Sequence, residues 1–126
     1  MNVVVDTDIL IDFFRGVESS KSFFRDILSH RISAFISVVT EAELLSGEEC
    51  NDMDKKIKIE ALLGFLNKVD VDSYLAQKSG YLRRTYKISI PDAIIAATAL
   101  KLNTVLYTRN LKDFNKIQGL NVKSPY

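Results

Sequence analysis

The sequence predicts a single α/β domain, with a central parallel sheet of four to five strands and helices on both faces. Short apolar runs alternate with amphipathic helical stretches along all 126 residues. The first run, Val3–Val5, leads straight into the acidic stretch Asp6–Asp8. A wholly apolar run bounded by polar residues is typical of a strand buried on both faces. A chain of this length builds one core, so we expect one domain over residues 1–126.

The N-terminal half is predicted to hold two strands and four helices. In order these are a strand over Val3–Val5, helices over Ile9–Arg15 and from Ser19 or Ser20 to Leu28, a strand over Ile32–Ser37, a helix from Ser37 or Thr40 to Leu45, and a helix around Ile59–Leu66. Gly16 and Gly47 are well placed to end helices. The charged stretch Glu48–Lys58 is predicted to be a solvated connection.

The C-terminal half is predicted to continue the alternation of strands and helices. Val69–Val71 forms the third strand, and Asp72 or Ser73 caps a helix with Leu75, Ser79, Leu82 and Tyr86 on one face. Pro91 opens the most apolar helix, because proline suits the first helical position. Thr104–Tyr107 forms the fourth strand, Asn110 caps a short helical turn through Phe114, and residues 120–122 add an edge strand.

The composition is that of an ordinary globular protein with a net charge of +1. There is no overall basic footprint, so any positive patch for a nucleic acid has to be local. Cys50 is the only cysteine, which excludes an intramolecular disulfide and suits a reducing compartment. The longest strongly apolar stretch, Ala93–Leu100, is far below the roughly 20 residues that span a bilayer. We therefore expect a cytoplasmic protein.

Acidic or amide side chains lie at four predicted strand-to-helix junctions: Asp6, Glu43, Asp92, and Asn110 with Asp113. Each has a structural explanation, since negative charge is favoured at helix starts and the spacing of Thr40 and Glu43 matches a capping box. A parallel sheet, however, brings these junctions to one edge. Carboxylates gathered there repel one another, and a hard cation such as Mg²⁺ or Mn²⁺ relieves that repulsion. The pattern predicts metal-dependent phosphodiester chemistry.

Four stretches, over residues 5–12, 36–47, 91–99 and 107–114, resemble PIN-domain ribonucleases of the VapC toxin type, and they occur in that family's order. The resemblance implies a three-layer α/β/α PIN-like domain. It carries the first three acidic positions onto Asp6, Glu43 and Asp92. The fourth falls on Asn110, an amide, and Asp113 one helical turn later is the alternative source of charge. Whether one or two metal ions bind is left open.

The resemblance also implies a mechanism and partners. Asp6 and Asp92 hold Mg²⁺ or Mn²⁺, Glu43 completes the site and orients a water, and the RNA phosphodiester is hydrolysed. Asp8 is interpreted as a helix cap in preference to a ligand. A cognate antitoxin places a basic side chain in the acidic pocket, and the toxin forms a homodimer. An exposed subset of four phenylalanines is a candidate contact surface, with core packing the simpler explanation: Phe13, Phe14, Phe23 and Phe24.

Local positive charge for RNA is offered by four arginines: Arg15, Arg83, Arg84 and Arg109. Backbone phosphates attract such groups, and nearby tyrosines can stack on unpaired bases. The alternative is a solvated helix face, with Tyr86 in the core.

Two other functions are consistent with parts of the sequence. An apolar strand followed by Asp-x-Asp also begins haloacid-dehalogenase-like phosphatases, in which Asp6 would be a nucleophile and Asp8 an acid/base, but no later Gly-Asp-x-x-x-Asp stretch follows. A non-catalytic PIN-like binding module is the second alternative, favoured only by Asn110.

Overall fold

Five parallel strands form the central sheet of this computed structural model, which describes residues 1–126. The strands are β1 (Asn2–Val5), β2 (Ser33–Ser37), β3 (Asn67–Val69), β4 (Val105–Tyr107) and β5 (Val122–Lys123). Their order across the sheet is β3-β2-β1-β4-β5, and every neighbouring pair is parallel. The order reverses direction between β1 and β4, and in open α/β sheets ligands bind beside the carboxyl ends of the strands at such a switch point.

Seven helices surround the sheet. They are α1 (Thr7–Phe14), α2 (Lys21–Leu28), α3 (Val38–Leu45), α4 (Met53–Leu63), α5 (Ser73–Tyr86), α6 (Ile90–Leu102) and α7 (Leu111–Phe114), with short 3₁₀ turns over Glu18–Ser20 and Glu48–Asn51. The three-layer α/β/α architecture predicted from the sequence is confirmed. None of the helices has both the length and the apolar character needed to cross a membrane.

The two faces of the sheet carry separate cores because successive side chains of a strand point in opposite directions. Val3 and Val5 pack with α1, α2 and α4 on one face, whereas Val4 packs with α5 and α6 on the other. All three valines are fully buried, as the apolar run predicts.

The phenylalanines pack against one another in the first of these cores. The ring of Phe24 stacks on Phe13 at 4.3 Å between centroids and meets Phe23 edge-on at 5.4 Å. Phe23 and Phe24 are buried, while Phe13 and Phe14 are half-buried. Core packing therefore accounts for most of this cluster.

Several predicted boundaries are wrong by two or more residues, and two of these errors have an identifiable cause. The connection expected over Glu48–Lys58 is helical from Met53, because the carboxylate of Asp52 caps α4 by accepting the backbone N–H of Asp54 at 2.9 Å. The third strand begins at Asn67, two residues before the predicted start. The strand lies there because residues 67–69 pair in register with Phe35–Ser37 of β2. At this exposed edge of the sheet, residue composition predicts the limits of a strand poorly.

The alternation of strands and helices breaks between α5 and α6, which follow one another directly. The predicted cap of α5 by Asp72 is confirmed, since its Oδ1 accepts the N–H of Leu75 at 2.9 Å. Lys101, in the last turn of α6, lies 3.5 Å from Asp72 at the N-terminal end of α5. The two helices are thus antiparallel, and the first turn of α6 follows the C-terminal end of α5. At this turn Nη1 of Arg83 donates to the carbonyl of Ile88 at 3.0 Å.

Candidate active site

Asp6 lies at the carboxyl end of β1 and begins α1. Its Oδ1 accepts the backbone N–H of Thr7 at 2.7 Å, and its Oδ2 accepts the hydroxyl of Thr108 at 2.7 Å. Thr108 directly follows β4, so this second bond spans the switch point of the sheet. Asp6 is only 5% exposed. Burial, followed by the negative charges of Asp8 and Asp92, raises the pKa of Asp6 to about 7.

Asp8 faces the same site, which corrects its interpretation as a helix cap. The residue that caps α1 is Asp6. Oδ2 of Asp8 accepts the backbone N–H of Arg109 at 3.0 Å, whereas its Oδ1 is buried without a hydrogen-bond partner. Burial raises the pKa of Asp8 as well. The Asp-x-Asp spacing is the sequence signal for this placement of Asp8, because a capping residue and the residue two positions later both lie at the first turn of the helix.

Glu43 reaches the site from α3. The hydroxyl of Thr7 donates to Oε1 of Glu43 at 2.7 Å and lies 3.1 Å from the hydroxyl of Thr40. The capping box predicted for Thr40 and Glu43 is wrong. Ser37 caps α3 instead, with its hydroxyl accepting the N–H of Val39 at 3.1 Å. Thr40 and Glu43 therefore share a helix face that is directed at Thr7.

Asp92 reaches the site from the first turn of α6, where its N–H donates to the hydroxyl of Ser89 at 3.2 Å. Burial is the main cause that raises the pKa of Asp92, and the charges of Glu43, Asp113 and Asp8 add to it. Its position was predicted as a strand-to-helix junction, but it comes from the helix-to-helix junction described above. The acids of separate segments nevertheless come within electrostatic range of one another.

Asn110 and Asp113, the two candidates for the fourth acidic position, are joined to each other. Nδ2 of Asn110 donates to Oδ2 of Asp113 at 3.0 Å, and the backbone N–H of Asn110 donates to Thr108 at 2.9 Å. Asn110 precedes α7, but its side chain makes no capping bond. The amide thus fixes the direction of the Asp113 carboxylate.

The donor set suits a hard, hydrated cation. All the converging groups are carboxylate, amide or hydroxyl oxygens, which are the ligands of Mg²⁺ and Mn²⁺. Oδ1 of Asp8 has no hydrogen-bond partner, and burial together with the neighbouring acids raises the pKa values of Asp6 and Asp92. No group of three acids is arranged to hold a metal ion directly. The oxygen donors suit an ion that is bound partly through water, and Mg²⁺ keeps several of its waters in proteins.

Comparison with known proteins identifies the family of this fold. The PIN domain family model matches residues 3–120. The chain belongs to the PIN domain family. Ribonuclease VapC1 of Rickettsia felis is 33% identical to it, over 97% of this chain and 95% of that protein. Ribonuclease VapC of Rickettsia bellii is 28% identical over the same shares.

Solved structures of PIN-domain proteins superpose on almost the whole chain. A toxin–antitoxin complex from Klebsiella pneumoniae contains a chain that is 34% identical, with a TM-score of 0.82 and 98% coverage of both chains. A DNA-bound VapBC from Salmonella typhimurium shares the fold, with a TM-score of 0.82 at 21% identity. The resemblance to VapC-type proteins is thereby confirmed. The haloacid-dehalogenase-like phosphatase alternative is not supported, because residues 3–120 match the PIN domain family model.

The four predicted RNA-binding arginines occupy different environments in this PIN domain. Arg15 lines a cavity of about 400 Å³ next to Glu43. Arg83 is bonded to the turn before α6, and Arg84 lies 5.8 Å from the ring centre of Tyr81. Nε of Arg109 lies 2.7 Å from a carboxylate oxygen of Asp12. Tyr86 is half-buried against the core, as expected.

Proposed function

We propose that this chain is the toxin of a VapBC-type pair, a Mg²⁺- or Mn²⁺-dependent endoribonuclease that hydrolyses RNA phosphodiester bonds. One observation carries the proposal. Separate segments of a PIN domain bring Asp6, Asp8, Glu43 and Asp92 to the switch point of the sheet, where burial and mutual repulsion raise the pKa values of Asp6 and Asp92. The relatives named as VapC ribonucleases match over nearly the whole chain.

The acidic side chains and the two threonines beside them have separate roles in the proposed reaction. Asp6 and Asp92 would hold the metal ion, which polarises the scissile phosphate and lowers the pKa of a bound water. Thr108 fixes the direction of the Asp6 carboxylate through its 2.7 Å hydrogen bond. Thr7 does the same for Glu43, whose second oxygen is left to orient the attacking water. Together these contacts hold the carboxylates in place before RNA arrives.

The fourth acidic position is proposed to be shared. Asp113 supplies the charge, since it is one of the carboxylates that raise the pKa of Asp92. Asn110 orients it through their 3.0 Å hydrogen bond. An amide in this role adds no charge of its own, which favours one tightly held ion over two.

Cleavage of a mixed RNA pool by the purified chain, freed of any partner, tests the proposal. We expect cleavage with Mg²⁺ or Mn²⁺, none with a chelator, and a loss of about 1000-fold or more in Asp92→Asn. A melting temperature that rises with Mn²⁺ in the wild type but not in the variant is the parallel readout. Cleavage that persists in the chelator contradicts the metal-dependent mechanism. Neither cleavage nor a Mn²⁺ effect would favour the non-catalytic binding module.

The surface of α5 is proposed to bind single-stranded RNA. Between Ser73 and Tyr86 this helix has no acidic residue, and Lys78 and Arg84 both lie within 6 Å of the exposed ring of Tyr81, at 5.7 and 5.8 Å. An aromatic face flanked by cations suits a stacked base with its phosphates. The end of α5 leads directly into the turn that carries Asp92, so RNA bound here continues toward the acidic edge.

Replacing Arg84 by alanine is expected to raise KM for single-stranded RNA about 3- to 10-fold and to lower the salt slope of binding by about 0.7. The reason is that Arg84 neutralises a phosphate without touching the acids. Steady-state cleavage kinetics measure KM, and binding titrations at several salt concentrations measure the salt slope. Lys21→Ala removes another surface cation, one paired with Glu18 at 2.8 Å, and is expected to change neither. A loss of kcat alone in Arg84→Ala would contradict a binding role.

A cognate antitoxin is the proposed regulator. The related chain in the toxin–antitoxin complex from Klebsiella pneumoniae covers the same length of sequence. The acidic edge is complementary to a basic side chain of such a partner, whose charge would relieve the same repulsion as the metal ion. Formation of a homodimer is part of the same proposal, and RNA contacts of Arg15 and Arg109 stay predictions.

A further inference from the structure

Asp12 is a buried carboxylate beyond the acidic edge, and its partners connect it to the loop after β4. It lies on α1 one turn after Asp8 and is 6% exposed. Its Oδ2 accepts hydrogen bonds from Nε of Arg109, at 2.7 Å, and from the hydroxyl of Tyr126. An unpartnered carboxylate is costly to bury, so the two donors stabilise it in this position. Neither the family's acidic positions nor the proposed reaction uses this group.

Arg109 contacts α1 at two points. Its backbone N–H donates to Asp8 at 3.0 Å, and its guanidinium binds Asp12. Residues four positions apart share one face of a helix, so the two carboxylates form a paired attachment for a single residue. Thr108, the residue before Arg109, donates to Asp6 at 2.7 Å. The direction of the Arg109 side chain is therefore coupled to contacts with two acids of the site.

We propose that Asp12 is a positioning residue, which holds residues 108–110 against Asp6 and Asp8 by binding Arg109. We call Asp12, Arg109 and Tyr126 the Asp12 clamp. The inference deepens the proposed ribonuclease function and rests on it. Contacts that support metal-binding carboxylates typically change metal affinity or activity 10- to 100-fold when they are removed.

Tyr126 completes the clamp from the far end of the sequence. Partial burial, together with the hydrogen bond to Asp12, raises the pKa of its hydroxyl, which therefore remains a donor at neutral pH. The phenol limits the freedom of the Asp12 carboxylate, because it occupies the same oxygen that Arg109 uses. A carboxylate held by two donors orients Arg109 better than one held by a single donor.

The test compares Asp12→Ala and Asp12→Asn with the wild-type chain. In Asp12→Ala we expect the amide of Arg109 to lose its protection from hydrogen exchange. We also expect the Kd for Mn²⁺ to rise about 10-fold and kcat to fall about 10- to 100-fold, with KM within about 3-fold. Asp12→Asn keeps an acceptor for both donors and is expected to show smaller changes of the same kind. If Asp12→Ala does not fold, the same quantities are measured in Asp12→Asn.

Two controls separate positioning from stability and from RNA binding. Leu75→Ala opens a cavity in the other core and lowers stability without touching the clamp, so the Mn²⁺ affinity is expected to stay within about 2-fold. Arg109→Lys keeps the backbone N–H and a cation for Asp12, and is expected to recover much of the activity that Arg109→Ala loses. If Arg109 instead binds RNA phosphate, Arg109→Ala raises KM and leaves Mn²⁺ affinity unchanged, which overturns the proposal.

The clamp and the ribonuclease proposal fail in different ways. Exchange of the Arg109 amide is measured without RNA or metal, and unchanged protection in Asp12→Ala overturns the clamp whatever the enzyme does. A wild-type chain that neither cleaves RNA nor binds Mn²⁺ contradicts the proposed function, and with it a positioning role in that reaction.

Discussion

Replacing Asp6 by asparagine is expected to abolish RNA cleavage and, at the same time, to stabilise the metal-free protein. Cleavage falls by at least about 1000-fold, equivalent to about 4 kcal/mol of transition-state stabilisation, because the variant loses a charged ligand at the centre of the site. The cap of α1 survives the change, since asparagine is as good a capping residue as aspartate. Cleavage falls and the stability of the metal-free protein rises, and both changes result from removing the same negative charge.

The gain in stability follows from the raised pKa of Asp6. Its ordinary value is 3.8, and in the folded protein it is about 7. The folded state therefore holds this proton more tightly than the unfolded state, so stability is highest below about pH 4 and is lost as pH rises to about 7. At 1.36 kcal/mol for each pKa unit, the rise from 3.8 to about 7 corresponds to a loss on the order of 4 kcal/mol above pH 7. Asparagine carries no charge and escapes that loss, while its Nδ2 does not accept the hydroxyl of Thr108, which offsets about 1 kcal/mol of the gain.

Thermal melting at pH 5 and pH 8, with and without Mn²⁺, measures these effects. Without metal, the variant is expected to melt higher than the wild type, on the order of 10 °C at pH 8 and less at pH 5. Mn²⁺ raises the wild-type melting temperature and leaves that of the variant nearly unchanged. Asp72→Asn is the matched control, because Asp72 is an exposed capping acid whose pKa is lowered by its bond to Leu75. That change is expected to give no gain, and equal melting of Asp6→Asn and wild type at pH 8 would contradict the account.

The parts of the fold that the sequence predicts well are those decided by local pattern. The run Val3–Val5 has no polar residue to place on either face, so a buried strand is the only consistent outcome. Asp72 is followed by a helical stripe and caps it as expected. The acids Asp6 and Asp92 are brought together because their segments meet at the switch point, and the family's motifs indicate this meeting.

The errors occur where distant residues compete with local patterns. Thr40 and Glu43 match a capping box, but Ser37 caps α3 and Thr7, 36 positions before Glu43, supplies the hydrogen-bond partner. Asp8 matches a helix cap in the sequence, but in the fold one of its oxygens accepts the backbone N–H of Arg109, 101 positions later. Neither pairing leaves a periodic signal in the sequence. The pairing of β1 with β2 brings Thr7 to Glu43, and the pairing of β1 with β4 brings Asp8 to Arg109.

The contact between Thr7 and Glu43 is the basis of a second large effect. Thr7→Val keeps the shape of the side chain and removes the hydroxyl that donates to Glu43 at 2.7 Å. We expect kcat for RNA cleavage to fall about 10- to 100-fold, because Glu43 loses the contact that directs its free oxygen. Stability is expected to fall by about 1–2 kcal/mol, since the fully buried hydroxyl of Thr40 loses its side-chain partner. Single-turnover cleavage and urea unfolding measure the two quantities.

Thr98→Val is the control for removing a buried threonine hydroxyl. Thr98 is also fully buried, but its hydroxyl donates to the carbonyl of Ile94 within α6 and touches none of the acids. This change is expected to leave kcat within about 2-fold. A comparable loss of kcat in both variants would show that Thr7→Val acts through general destabilisation.

Thr7→Val and Thr40→Val together decide between the two descriptions of Glu43. If Glu43 belonged to a capping box, its carboxylate would accept the backbone N–H of Thr40, and Thr7→Val would leave cleavage unchanged. The structure predicts a loss in Thr7→Val, because that change removes the bond to Glu43, whereas Thr40→Val removes only the 3.1 Å contact to Thr7. A smaller loss of kcat in Thr40→Val than in Thr7→Val is therefore expected. That order would identify Thr7, at the start of α1, as the residue that connects the general-base candidate on α3 to the metal-binding end of β1.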